Sequence, residues 1–97
     1  MISRGAKEFW ALYHALSPES RRQARKAFLL FAENPDHPSL RFKKLHAAHP
    51  YWSVRFGSGY RAVCRRDGDR ADWDWIWIGT HQDFGKAFSL TPPQFPI

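Results

Sequence analysis

Polar and apolar positions alternate along Ala71–Phe84. Trp73, Trp75 and Trp77 fall on one face, and Asp72, Asp74, Ile76 and Ile78 on the other. Alternation built from aromatic and β-branched residues predicts a pleated strand. Its first half is polar on one face and its second half is apolar on both, so the strand runs from solvent into the interior. Gly79 breaks the ladder and Thr80-His81-Gln82-Asp83 follows as a polar turn. A titratable side chain just beyond a buried strand end has a rigid support and stays exposed, which suits binding or chemistry.

Upstream the period changes. Phe9, Leu12, Tyr13 and Leu16 recur at helical spacing and predict a helix over 5–16. Ser17-Pro18-Glu19 then supplies an N-cap, a first-turn proline and an acid at the positive end of a second helix, 18–34, with Ala24, Ala27, Phe28 and Phe31 inward. Arg21, Arg22, Arg25 and Lys26 crowd the start of that helix and read as a solvated face. Asn34-Pro35-Asp36-His37-Pro38-Ser39 ends it. Strands are predicted at 40–46, 51–57, 59–66 and 71–79, with turns at Gly57-Ser58-Gly59 and Asp67-Gly68-Asp69. Trp52, Val54 and Phe56 form the core face of the second strand, on which Leu12, Phe28 and Phe31 are expected to pack. Phe84–Phe88 suits a short helical turn, and 90–97, with three prolines, an extended tail. The order is helix, helix, meander: an α+β domain over 1–97, with two N-terminal helices on a four-stranded antiparallel sheet.

Composition narrows the function. Fifteen Lys and Arg against nine Asp and Glu give +6, which favours nucleic acid, an anionic surface or an acidic protein. Aromatic content of 16% exceeds what a small core needs, leaving rings for a partner. The single cysteine, Cys64, excludes an internal disulfide and a cysteine-based metal site. The chain shows no apolar run long enough to span a bilayer and no apolar region of a signal peptide, so a cytoplasmic location is expected. Nucleotide-binding loops, calcium loops and zinc-protease motifs are absent. His14, His37, His46, His49 and His81 show no ligand spacing within one element, so no metal or cofactor is expected.

The candidate chemistry is distributed. Lys43, Lys44, Arg55, Arg61 and His81 come from strands that a meander makes neighbours, and Arg55 meets Arg61 across the glycine turn. Two adjacent arginines call for an anion between them. With a histidine that titrates near neutrality, the set offers what RNA cleavage by the 2′-hydroxyl needs: cations for the charged transition state and a group to move the proton. The competing reading is that these arginines pair with Asp72, Asp74 or Asp83 in surface ion pairs.

Asn34-Pro35, His37-Pro38-Ser39-Leu40-Arg41-Phe42-Lys43-Lys44-Leu45, Trp52-Ser53-Val54-Arg55, Gly59-Tyr60-Arg61-Ala62 and Trp77-Ile78-Gly79-Thr80-His81 together resemble the RelE/ParE toxin superfamily of bacterial type II toxin–antitoxin systems, from Phe9 to about Lys86. The resemblance implies a neutralising antitoxin and one of two activities. RelE-like members cut mRNA in the ribosomal A site with basic residues, sometimes with a histidine or a C-terminal tyrosine. ParE-like members poison DNA gyrase without a nuclease site. Position by position, the resemblance carries roles to Lys43, Lys44, Arg55, Arg61 and His81. Gln82 and Asp83 stand where RelE-type relatives often have an arginine, and Phe84 stands at the tyrosine position. The expectation is an mRNA endonuclease acting on the ribosome without cofactor, held by an acidic antitoxin. The alternatives are a gyrase poison or a non-toxic antitoxin-binding module.

Overall fold

The Ser17 side chain accepts from the Ser20 amide at 3.2 Å, Pro18 occupies the first turn, and a helix starts where the capping residues place it. The computed structural model describes residues 2–46, 49–66 and 72–88. In chain order it contains β1 (Ile2–Gly5), α1 (Lys7–His14), α2 (Pro18–Glu33), a 3₁₀ turn (Pro38–Leu40), β2 (Lys43–His46), β3 (His49–Phe56), β4 (Tyr60–Arg65), β5 (Asp72–Thr80) and α3 (His81–Ala87). The expected Asp67-Gly68-Asp69 turn and the 90–97 tail lie outside the described residues.

The fold is α+β, and the meander from β2 to β5 is antiparallel as its hairpins require. Two local details differ from expectation. The sheet has five strands in the order β1-β5-β4-β3-β2, because β1 pairs in parallel with β5 at the edge. Four residues without alternation carry no strand signal of their own. Here partners supply it: Arg4 reaches Asp72 and Asp74 at 3.1 and 3.2 Å, and the Ala6 amide donates to the Trp75 carbonyl at 2.8 Å. The strand expected from residue 40 begins only at Lys43, because Pro38–Leu40 is a 3₁₀ turn that drops Leu40 into the core.

A bulge in β5 decides what each face of the sheet carries. Cys64 pairs with Trp75 while its neighbour Val63 pairs with Trp77, leaving Ile76 as the extra residue. Trp73 and Trp75 face the helices and meet Phe31 edge-on at 5.9 and 5.3 Å. Past the bulge the sides exchange. Ile78 enters that core, and Trp77 turns to the opposite face against Phe84 and Phe88. The three tryptophans therefore do not share a face. Strict alternation holds only for an unbulged ladder, and the bulge depends on the pairing with β4.

The helix-side core joins Phe9, Phe31, Leu40, Val54, Phe56, Ala62, Cys64, Trp73, Trp75 and Ile78. Burial pushes the Cys64 thiol well above its ordinary pKa, so it stays protonated and unreactive. Phe31 is fully buried, but Phe28 is 43% exposed and Leu12 37%, so neither is the core residue its spacing predicts. Phe28 belongs to the margin of an open groove that the helices do not close. The cations at the start of α2 also find local work. Arg21 donates to the carbonyls of His14 and Leu16 at the end of α1, Arg25 to the Tyr13 hydroxyl, and Arg22 pairs with Glu19.

This packing sets a stability contrast. Phe31→Ala is expected to cost about 3–5 kcal/mol, the usual range for a buried phenylalanine, and Phe28→Ala less than half of that. Urea unfolding of the two variants checks the assignment of the inner face.

Candidate functional site

The face of the sheet away from α1 and α2 holds the candidate residues. In β3 and β4, Arg55 stands directly opposite Arg61, and Gly79 of β5 lies on Arg61's other side. The turn between the two strands needs glycine: Gly57 and Gly59 have φ of +57° and +100°. The Gly59 carbonyl accepts from the His81 amide at 2.7 Å, tying the turn to the first residue of α3. Thr80 caps that helix by accepting from the Asp83 amide at 3.1 Å.

Arg61 is the hub. Its Nε donates to Nδ1 of His81 at 3.2 Å, and its Nη1 donates to Oγ of Ser53, also at 3.2 Å. Its guanidinium lies 5.2 Å from the centre of the Phe84 ring, which in turn stacks on His81. With Nδ1 accepting, the neutral imidazole carries its proton on Nε2. Burial, then the charges of Arg55 and Arg41, lower the pKa of Arg61 from its ordinary value. An arginine remains charged in proteins even so, and the repulsion marks a site that an anion would relieve.

Lys43 pairs with Ser53 in the ladder and therefore shares the face of Arg61. Lys44 pairs with Trp52 and sets its ammonium 5.3 Å from that ring's centre, on the helix side of the sheet. Of the five residues singled out by sequence, the structure thus gathers Lys43, Arg55, Arg61 and His81 on one face and places Lys44 on the other. The surface-pair reading is not what forms. Asp72 and Asp74 bond Arg4, and among the described residues none of Arg41, Lys43, Arg55 or Arg61 has a carboxylate partner.

Three residues complete the site that sequence reading did not assign to it. Ser53, fully buried, aims Arg61; its signal was its position one pleat from Arg55. Phe84 holds Arg61 and His81 together with its ring, although it lacks the hydroxyl of a tyrosine. Arg41 adds charge from the turn before β2. Among the described residues no three of His, Cys, Asp and Glu gather as a metal site would require, and no helix is long and apolar enough to cross a membrane.

A second surface lies on the helix side. An open apolar groove of about 360 Å³ runs over Phe9, Trp10, Phe28, Leu29, Trp75 and Ile78. Trp10 is 46% exposed and Leu29 69%, while the buried indole N–H of Trp75 has no hydrogen-bond partner among the described residues.

The sheet carries α1 and α2 on one face and, on the other, a histidine beside cations that have no carboxylate partner among the described residues. The ParE-like toxin domain matches residues 18–86, and the chain belongs to that family. Among curated proteins none matches the sequence. The fold is that of solved RelE and ParE toxins. The YoeB/ParE toxin from Agrobacterium tumefaciens superposes with a TM-score of 0.66 at 18% identity, covering 84% of this chain and 99% of that one. The toxin in the E. coli RelBE toxin–antitoxin complex gives 0.62 at 19%, covering 81% and 94%. The RelB–RelE complex from Methanococcus jannaschii gives 0.65 at 16%, covering 87% and 96%.

The Thr80 cap generates a local prediction. Thr80→Ala is expected to loosen α3 by about 1 kcal/mol, raising amide exchange over 81–88 roughly fivefold. Exchange in β3 and β4 should stay unchanged, because the cap bonds only the first turn of α3 and takes no part in their ladder. Hydrogen–deuterium exchange resolved by segment measures both.

Proposed function

We propose that this chain is the toxin of a type II toxin–antitoxin pair and acts as an endoribonuclease on mRNA at the ribosome. The observation that carries this reading is the cluster of Lys43, Arg55 and Arg61 without carboxylates, with His81 hydrogen-bonded to its central member. A phosphate arriving at Arg61 competes for the Nε–H that Nδ1 of His81 now accepts. Drawing Arg61 to the phosphate frees that lone pair to take the 2′-hydroxyl proton. The 2′-oxygen then attacks phosphorus and the bond to the 5′-oxygen breaks; that oxygen takes a proton from water and His81 returns its proton to solvent, giving a 2′,3′-cyclic phosphate and a 5′-hydroxyl end. Arg61 and Arg55 stabilise the charge that develops on the phosphoryl oxygens, and Lys43 adds to the field. No cofactor enters this scheme.

Arg61→Ala should therefore weaken both RNA binding and cleavage. His81→Gln should leave binding largely intact and slow cleavage by roughly 10²–10⁴-fold, the scale of a general acid or base. Single-turnover cleavage on programmed ribosomes, with melting temperature taken on the same preparations, tests the assignment. Unchanged cleavage by a stable His81→Gln variant removes His81 from the chemistry. Expression in a bacterial host separates the broader readings: translation arrest supports the nuclease, a DNA-damage response supports a gyrase poison, and undisturbed growth supports a module that only binds its antitoxin.

The partner follows from the same surfaces. The E. coli and Methanococcus jannaschii toxins are seen with RelB antitoxins. For this chain the neutralising segment is acidic, ordered on binding, and sets apolar side chains into the groove at Trp10, Phe28 and Leu29. Added salt should weaken the complex without abolishing it, since buried apolar contacts are barely screened. Leu29→Asp should weaken antitoxin capture by at least about tenfold while leaving RNA cleavage untouched. Salt-independent affinity would contradict the charge argument.

A further inference from the structure

Arg41 is the one non-glycine residue among those described with positive φ, at φ 46° and ψ 44°. Left-handed backbone crowds any Cβ, and the position that closes a helical turn in this way usually holds glycine or asparagine. Side chains kept in such conformations cluster at functional sites, where the surrounding structure enforces them. Here the enforcement is visible. Leu40 before it is buried, Phe42 after it packs edge-on against Phe31 and Trp73 at 5.1 and 5.4 Å, and the Arg41 amide donates to the Pro38 carbonyl at 3.3 Å. Two anchored neighbours leave the arginine between them exposed.

We propose that Arg41 belongs to the same site and holds a second phosphate of a single RNA strand, next to the phosphate that Arg61 engages. The inference rests on the endoribonuclease reading of that site and adds a residue and a substrate requirement to it: the ligand is a chain of phosphates, not one phosphate. Three observations support it. Arg41 stands at the entrance to β2, whose Lys43 faces the Arg61 side beside Ser53. Its side chain has no carboxylate partner among the described residues. Its charge also reaches Arg61, where it adds to the destabilisation of the protonated guanidinium that Arg55 causes. Arg61 together with two arginines that each repel it carries more charge than one phosphate neutralises, and successive phosphates of a strand supply the rest.

The test uses the full chain and a short single-stranded RNA blocked against cleavage by 2′-O-methylation, with affinity measured across a salt series. Asparagine accepts left-handed backbone, so Arg41→Asn should melt within a few degrees of the wild type. It should bind the strand about tenfold more weakly, and the slope of log affinity against log salt should fall by ~0.7, the loss of one single-strand phosphate contact. Arg41→Lys should keep most of the slope. Wild-type affinity and slope in Arg41→Asn overturn the proposal, as does a lysine variant that loses as much as the asparagine one. Arg61→Ala runs alongside as the control for the site. If it weakens binding while Arg41→Asn does not, only the Arg41 inference fails. If neither variant changes binding, the RNA reading of the whole face fails with it. Loss with Arg41→Asn but none with Arg61→Ala places Arg41 outside a shared site and also overturns the proposal.

Discussion

The second half of β5 is apolar on both faces, and a segment of that kind folds only if both faces are covered. Helices α1 and α2 cover one side through Phe9, Phe31 and the partly buried alanines of α2. On the other side α3 lays Phe84 and Phe88 on Trp77, above the fully buried Ser53 and Val63. The bulge at Ile76 is what lets a single strand serve two cores, because it turns Trp77 away from the side that Trp73 and Trp75 occupy. Remove it, and either Trp77 or Ile78 loses its place.

The covering of the second face also assembles the site. α3 begins at His81, bonded through its amide to the glycine turn and through its ring to Arg61. Phe84, one turn on, is a covering residue for Trp77 and at the same time a ring against which Arg61 and His81 rest. Packing and electrostatics are thus shared by the same few side chains. Arg61 is held against the cost of partial burial and of two like charges nearby, by the Ser53 hydroxyl, the His81 ring and the Phe84 face. A site of this kind is charged in advance for an anion.

The apolar groove and the cationic site lie on opposite sides of the sheet. Exposed aromatic and aliphatic side chains sit where α1 and α2 leave the core open, and Arg61, without a carboxylate partner among the described residues, sits against Phe84 of α3. The surplus of rings over core requirement and the surplus of positive charge are therefore two separate features of the molecule, each with its own surface. A protein partner is suited to the first and a polyanion to the second.

What the sequence by itself determined is whatever depends on near neighbours in the chain. Ser17 and Pro18 start α2, Gly57 and Gly59 supply the positive φ of the hairpin, and alternation in β3 sorts Val54 and Phe56 from Ser53 and Arg55. The closeness of Arg55 to Arg61 follows from that hairpin, so this part of the site was legible too, as was His81 at the end of a strand. Tertiary structure decided the rest. β1 exists because β5 offers it hydrogen bonds and Asp72 and Asp74 offer Arg4 its partners. Only the register of β2 against β3 separates Lys43 from Lys44, which are equivalent as a sequence pair. Phe28 and Leu12 have core spacing but stay exposed, whereas Phe31 is enclosed by Phe42, Trp73 and Trp75. Arg41 takes its left-handed backbone because Leu40 and Phe42 are both anchored in the core. In each case the deciding contact joins residues far apart in the chain, and local periodicity carries no information about it.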